Sequence, residues 1–178
     1  ALEIIERLKK EYPDAGCPLD YDEAWKLLVS VRLAAQCTDE RVNIIVEKLF
    51  AKYKTIEENE TEWEEIGTED ADIILVSFGS TSRNVKTAMK LCREKGLKVG
   101  FFRPITLFPF PSKRLNELSK KVKKFISVEV NMGQMIEDIE LAIRCKKPVL
   151  LCNRAGGMIP SPEQVLEAII NANNGGAK

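Results

Sequence analysis

"DIILVSFGSTSRNVKTAM", residues 72–89, decides the fold. It opens with a mainly apolar run that ends at Gly79, the pattern of a short strand covered on both faces. Val85, Ala88, Met89 and Cys92 then recur at helical spacing, and Gly96 closes that helix. Strand followed by helix repeats along the rest of the chain. "KVGFF" (98–102) is a second strand, stopped by Arg103 and Pro104, and Leu115, Leu118 and Val122 mark its helix. "KFISVEV" (124–130) is a third, with Met135, Ile139 and Ile143 on the next helix. "KPVLLCN" (147–153) is a fourth. Ser161 then caps the last helix, Pro162 takes its first position, and Val165, Ile169 and Ile170 belong to its body. Residues 173–178 are expected to fray. This alternation predicts an α/β fold: a three-layer, mainly parallel sheet domain with right-handed crossovers.

Upstream the period is helical. Leu2, Ile4, Ile5 and Leu8 mark a first helix, ended by Pro13 and Gly16. Asp20 or Asp22 can cap a second, "EAWKLLVSVRLAAQ" (23–36), which is apolar on nearly every side and so is expected to be surrounded by other helices. Thr38 caps a third, with Asp39 and Glu40 suited to its positive end and Val42, Val46, Leu49, Phe50 and Tyr53 on one face. A small three-helix segment, 1–55, thus precedes the α/β domain, 73–178. Between them, residues 56–72 hold nine acidic side chains, no basic ones and no strong periodicity. They are expected to form an acidic linker, extended by self-repulsion unless the basic body lies beside it, with Trp63 and Ile66 as packing anchors.

Composition narrows the chemistry. The chain has 178 residues, 44% of them hydrophobic and 30% charged, which suits a packed core. No apolar run is long enough to span a bilayer, and the first residues are amphipathic, unlike a signal peptide. The expected location is the cytoplasm, with no membrane contact. Histidine is absent, which excludes a serine–histidine relay and histidine metal ligation. The five cysteines form no C-x-x-C pair and suit reduced thiols better than a disulfide frame or a metal site. No nucleophile–base pair is visible, so no catalytic residue and no metal ligand is assigned. Residues 73–178 carry eighteen basic and eight acidic side chains. That excess invites a nucleic-acid reading, but Lys120, Lys121, Lys123 and Lys124 form one run without interleaved aromatics. A solvated face, or one covered by the acidic segment, fits that run better.

Parallel sheets of this kind bind ligands and partners at the carboxyl ends of their strands. Four loops fall there: 79–82, 103–111, 129–134 and 153–160. Gly79, Ser80, Thr81 and Ser82 can hold a phosphate or carboxylate at a helix start, or Ser80 or Thr81 can simply cap that helix. The glycine-rich dinucleotide and P-loop motifs are both absent. The loop with Arg103, Phe108 and Phe110 is stiffened by prolines and is either a docking surface or a lid over the domain's own core. Glu129 is a general-base candidate or a structural acceptor, and Gly133 permits a sharp turn. Asn131, Gly133, Gln134 and Met135 join Arg103, Phe108 and Phe110 as the expected interface.

Two resemblances cover different parts of the chain. "YPDAGCPLDYDEAWKLLVSVRLAAQCTDERVN" (12–43) and "LFAKYKT" (49–55) resemble the N-terminus of endonuclease III, a DNA glycosylase/lyase. The resemblance implies that Gln36 probes the gap left by a flipped base and that Thr38 and Asp39 start a helix near DNA. The family's later catalytic lysine and aspartate, helix–hairpin–helix and four-cysteine cluster loop have no counterpart in this sequence. "TEDADIILVSFGSTSRNVKTAM" (68–89), "GLKVGFFRPITLFPFP" (96–111), "VEVNMGQMIEDI" (128–139) and "AGGMIPSPEQVLEAI" (155–169) resemble the C-terminal, transketolase C-terminal-like domain of the α subunit of 2-oxoacid:ferredoxin oxidoreductases. That resemblance implies a parent complex using thiamine diphosphate, iron–sulfur clusters and coenzyme A to turn a 2-oxoacid into an acyl-CoA while ferredoxin is reduced. It implies no cofactor on this chain and a structural, assembly role beside the other domains and subunits, with ferredoxin met only indirectly. The alternative is a DNA-binding fragment. The joint falls near "KYKTIEENE" (52–60), and a natural fusion, an engineered chimera and a sequence assembled from two sources all fit it.

Overall fold

The computed structural model describes residues 2–173. Asn173 belongs to the last helix, and the rest of the expected fraying tail lies outside the described residues. The chain divides into two compact units, Ala1–Ile56 and Glu57–Lys178.

The first unit is helical: α1 (Leu2–Glu11), α2 (Ala24–Ala34) and α3 (Asp39–Asn59). Its core is small. Leu19, Val42 and Val46 are buried, and Leu27, Ala34, Cys37 and Phe50 pack against them. Trp25 meets Phe50 and Tyr53 edge-on, with centroids 5.4 and 5.7 Å apart. Asn43 ties the chain before α2 to α3: its Nδ2 donates to the Pro18 carbonyl (2.9 Å), and its Oδ1 accepts from the Asp20 N–H (3.0 Å). The expected enclosure of α2 is not found among the described residues. Only Ser30 of that helix is buried, and Leu28 and Val31 stay exposed. Asp22 does not cap it either, because Lys26 claims its carboxylate at 2.6 Å. Thr38 does face α3 as expected, its Oγ1 accepting from the Arg41 N–H at 3.4 Å.

The second unit is an α/β sandwich. β1 (Trp63–Ile66), β2 (Ile73–Val76), β3 (Val99–Pro104), β4 (Lys124–Glu129) and β5 (Val149–Asn153) form one sheet in the order β1-β3-β2-β4-β5. β2 runs parallel to β3 and β4, and β4 to β5. α4 (Thr81–Glu94), α5 (Ser112–Ser119), α6 (Met135–Ala142) and α7 (Pro162–Asn173) follow β2 to β5 in turn. Side-chain alternation splits the sheet between two cores. Ile73, Leu75, Val99, Phe101, Ile126 and Val128 meet Val85, Met89 and Cys92 of α4 and Val165 and Ile169 of α7. Ile74, Val76, Phe102 and Phe125 point the other way, onto Leu115 and Leu118 of α5 and Met135 and Ile139 of α6. The result is the three-layer, mainly parallel architecture the sequence predicts. Burial pushes the Cys92 thiol up to about 11, so it stays a protonated core group.

The acidic segment departs from the expectation of a linker. Residues 56–59 end α3, and residues 63–66 form β1, an edge strand antiparallel to β3. The strand is written in charge. Glu64 accepts from Lys86 Nζ of α4 (2.6 Å) on one face. Glu65 accepts from Arg114 Nε and Nη2 of α5 (2.6 and 3.0 Å), and also from Thr68 Oγ1 and Trp63 Nε1 (both 2.7 Å). Ile66 packs on the α4 core as an anchor, whereas Trp63 is exposed. The two consecutive carboxylates are thus answered from different helix layers, and acidic side chains on an edge also discourage pairing with foreign strands.

Partial burial raises the Glu65 carboxyl, but the bonds from Arg114, Thr68 and Trp63 outweigh it and hold the group below 4.5. Folding therefore favours the ionised form. That stability is in place above pH 4.5 and is lost as pH falls through the lowered value. Glu65→Gln is expected to cost about 1 kcal/mol at neutral pH. It should also flatten the acid limb of the stability–pH curve, as read by urea unfolding followed by circular dichroism.

Candidate functional site

The chain leaves β2 for β3 on one side and later enters β4 on the other, so the carboxyl ends of β2 and β4 flank the topological switch point. The organising group there is Glu129. Its side chain is 1% exposed, yet both oxygens are saturated. Oε1 accepts from Ser127 Oγ (2.7 Å) and the Ile136 N–H (3.0 Å). Oε2 accepts from the Gln134 and Met135 N–H groups (both 2.9 Å). The carboxylate therefore closes the first turn of α6 from the preceding strand, where the helix dipole favours negative charge. A group so committed has no lone pair directed at a substrate, so of the two roles open to Glu129, structural acceptor is the one realised.

The turn between β4 and α6 is equally determined. Asn131 Oδ1 accepts from the Gly133 and Gln134 N–H groups (2.7 and 3.1 Å), and its carbonyl accepts from Asn153 Nδ2 (2.6 Å) at the end of β5. Gly133 has φ +97°, and a Cβ there would stand 2.9 Å from Leu151 Cδ2. Met132, at the tip, is 79% exposed. The Glu129 carbonyl also accepts from the Arg154 N–H (3.1 Å), tying the β5–α7 loop to the same strand end.

The loop after β3 is anchored to the chain before β1. The Glu62 carbonyl accepts from the N–H groups of Ile105 and Thr106 (3.0 and 3.2 Å), and Thr106 Oγ1 accepts from the Glu62 N–H (2.9 Å). Phe108 is 80% exposed beyond that anchor. Phe110 is half-buried, one side packed against the α5–α6 core, so the loop is part docking face and part lid. Met135 is likewise a core residue, 3% exposed, because α6 turns its first residue inward. Arg103 lies on β3 facing Glu64, its Nη1 3.7 Å from that carboxylate. The structure leaves Phe108, Phe110, Asn131, Gly133 and Gln134 of the expected set on the strand-end loops, Phe110 half-buried.

At the β2–α4 turn, Gly79 has φ +61°. Thr81 Oγ1 donates to the Phe78 carbonyl (2.6 Å) and Ser82 Oγ to the Ser77 carbonyl (3.3 Å). No side chain caps α4, so the expected capping by Ser80 or Thr81 is not found. The S-x-x-Q start of α7 does close as a capping box: Ser161 Oγ accepts from the Gln164 N–H (3.3 Å), and Gln164 Oε1 accepts from the Ser161 N–H (3.0 Å). In the helical unit, Gln36 is exposed on the turn between α2 and α3, beside Thr38 and Asp39. Sequence reading missed Ser127, Asn153 and Arg154 as partners of the β4 end. The alternation in "KFISVEV", with Ser127 and Glu129 on one face of a buried strand, was the available signal.

A family model described as pyruvate:ferredoxin oxidoreductase core domain II matches residues 71–165. The chain is 49% identical over 121 residues to the ketoisovalerate oxidoreductase subunit VorB of Methanothermobacter marburgensis, covering 68% of this chain and 34% of that protein. It thus spans about a third of that relative's length. Over 53 residues the chain is 55% identical to endonuclease III of a Synechocystis species, covering 30% of this chain and 24% of the relative. Among solved structures, the 2-oxoglutarate:ferredoxin oxidoreductase of Magnetococcus marinus, with 2-oxoglutarate, coenzyme A and succinyl-CoA bound, superposes with a TM-score of 0.61 at 26% identity. The match covers 72% of this chain and 22% of that one.

Replacing Glu129 with glutamine keeps its shape but turns one acceptor into a donor facing N–H groups. Glu129→Gln is expected to destabilise the chain by about 2–3 kcal/mol, seen as a lowered urea midpoint. Amide exchange should speed up first at Gln134, Met135 and Ile136.

Proposed function

The chain belongs to the pyruvate:ferredoxin oxidoreductase core domain II family, and we propose that its α/β unit works there as an assembly domain rather than a catalytic one. The observation carrying this reading is the apolar character of the strand-end loops. Ile105, Leu107 and Phe108 after β3, Val130 and Met132 after β4, and Met158 and Ile159 after β5 are all exposed. Hydrophobic side chains gathered at one end of a sheet, on loops fixed by hydrogen bonds, suit burial against a partner. The partner is the remainder of the subunit and its companion subunits, with Phe108 and Met132 as anchors and Asn131, Gly133 and Gln134 shaping the turn between them. The helical unit over 1–56 precedes the docking unit over 57–178, and the acidic segment supplies the edge strand β1 of the latter.

The parent reaction oxidises a 2-oxoacid to an acyl-CoA, reduces ferredoxin, and draws on thiamine diphosphate, iron–sulfur clusters and coenzyme A. The donor set of this chain does not fit a cluster. Cys92 lies in the core, and no three Cys, Asp or Glu side chains come together as metal ligands among the described residues. On this reading the cofactors belong to the rest of the complex, and ferredoxin is reached through it. The proposed place of work is the cytoplasm; no helix among the described residues is long and apolar enough to cross a membrane.

The endonuclease III match supports a second reading for the helical unit, contact with DNA through the exposed turn at Gln36, Thr38 and Asp39. Salt-sensitive gel shifts of an abasic-site duplex, weakened by Gln36→Ala, would establish it; no shift at low salt would remove it.

For the assembly reading, the chain should co-purify with the remaining part of a VorB-type subunit supplied separately. Phe108→Ala and Met132→Ala together are expected to weaken that association by about tenfold or more, with unfolding unchanged. Undiminished association in the double variant, or none with the unaltered chain, refutes the reading.

A further inference from the structure

The first turns of α4, the end of β3 and the loop before α7 enclose a cavity of about 530 Å3. Its wall includes Gly79, Ser80, Arg83, Lys86, Arg103 and Ile159. Three of these are cations, and none is acidic. The nearest compensating charge is Glu64 on β1, which meets Lys86 at 2.6 Å and Arg103 at 3.7 Å. One carboxylate thus answers two cations, and Arg83 has no acidic partner among the described residues. Arg103 is under-satisfied in a second way: its Nε is buried and has no hydrogen-bond acceptor among the described residues. A buried guanidinium donor without an acceptor is costly, and a bound oxyanion would relieve it.

We propose that this cavity binds the phosphate group of a small phosphorylated ligand. The excess of two positive charges matches a phosphate dianion better than a carboxylate, and guanidinium groups fit phosphate oxygens in pairs. The uncapped start of α4 adds favourable polarity on the same wall. The backbone at Gly79 is open, since a Cβ placed there would meet nothing within 4 Å. Ile159 offers an apolar surface for the rest of the ligand, and the volume lies within the range of small-molecule pockets. Asn84 holds the far wall in place, its Nδ2 donating to the Pro160 carbonyl at 3.0 Å.

The site shares Ile159 with the proposed docking face, but the two readings fail separately: a chain that fails to assemble can still bind pyrophosphate, and the reverse. The test is isothermal titration of the 178-residue chain with sodium pyrophosphate and with inorganic phosphate. Saturable one-to-one binding is expected, tighter for pyrophosphate. Arg83→Ala and Arg103→Gln should each weaken it about tenfold. Lys120→Ala with Lys121→Ala, on a different surface, should leave it unchanged. If Arg103→Gln unfolds, as circular dichroism would show, the exposed Arg83 decides alone. Absence of saturable binding up to about 10 mM overturns the proposal. So does binding that follows the lysine pair and ignores Arg83.

Discussion

One buried carboxylate, Glu129, fixes the working end of the sheet. A helix that starts directly behind a parallel strand points unpaired N–H groups at the strand's own end, and something must accept them. Here the last residue of β4 reaches forward and takes three of them, with Ser127 supplying a fourth donor. The Glu129 carbonyl holds Arg154, and Asn131 holds Asn153, so the β4 and β5 ends are fastened together. The loops after β4 and β5 keep their shape because this anion has nowhere else to go.

The two units differ in how far their own residues can stabilise them. The α/β unit has a packed core on each face of its sheet. The helical unit buries only Leu19, Val42 and Val46 in its cluster, while Leu28, Val31, Ile44 and Ile45 remain exposed. Small cores of that size stabilise weakly by themselves. The family match, over 71–165, falls within the α/β unit.

The four parallel strands and their helices were legible because each carries an apolar run or stripe that local periodicity exposes. β1 was not. "WEEI" has no apolar alternation, and its stability comes from Lys86 and Arg114, which lie far away in sequence. Met135 and Phe110 were legible as apolar but not as core contacts, since only the packed α5–α6 face shows which way they turn. Arg103 was read as a docking residue because it follows a strand; the strand runs through it to Pro104 and places it beside Glu64. The helical unit's exposed α2 misled in the opposite sense, since a helix apolar on nearly every side implies neighbours that the described residues do not provide.

The antiparallel pairing of β1 with β3 also has a consequence for synthesis. β1 leaves the ribosome before its partner exists, and the apolar β2 follows it. A nascent edge strand left unpaired is a template for association with other chains. A strand built on glutamates is a poor template, and its carboxylates are neutralised only once α4 and α5 have been made. The charges that fasten the finished edge therefore protect the growing chain first.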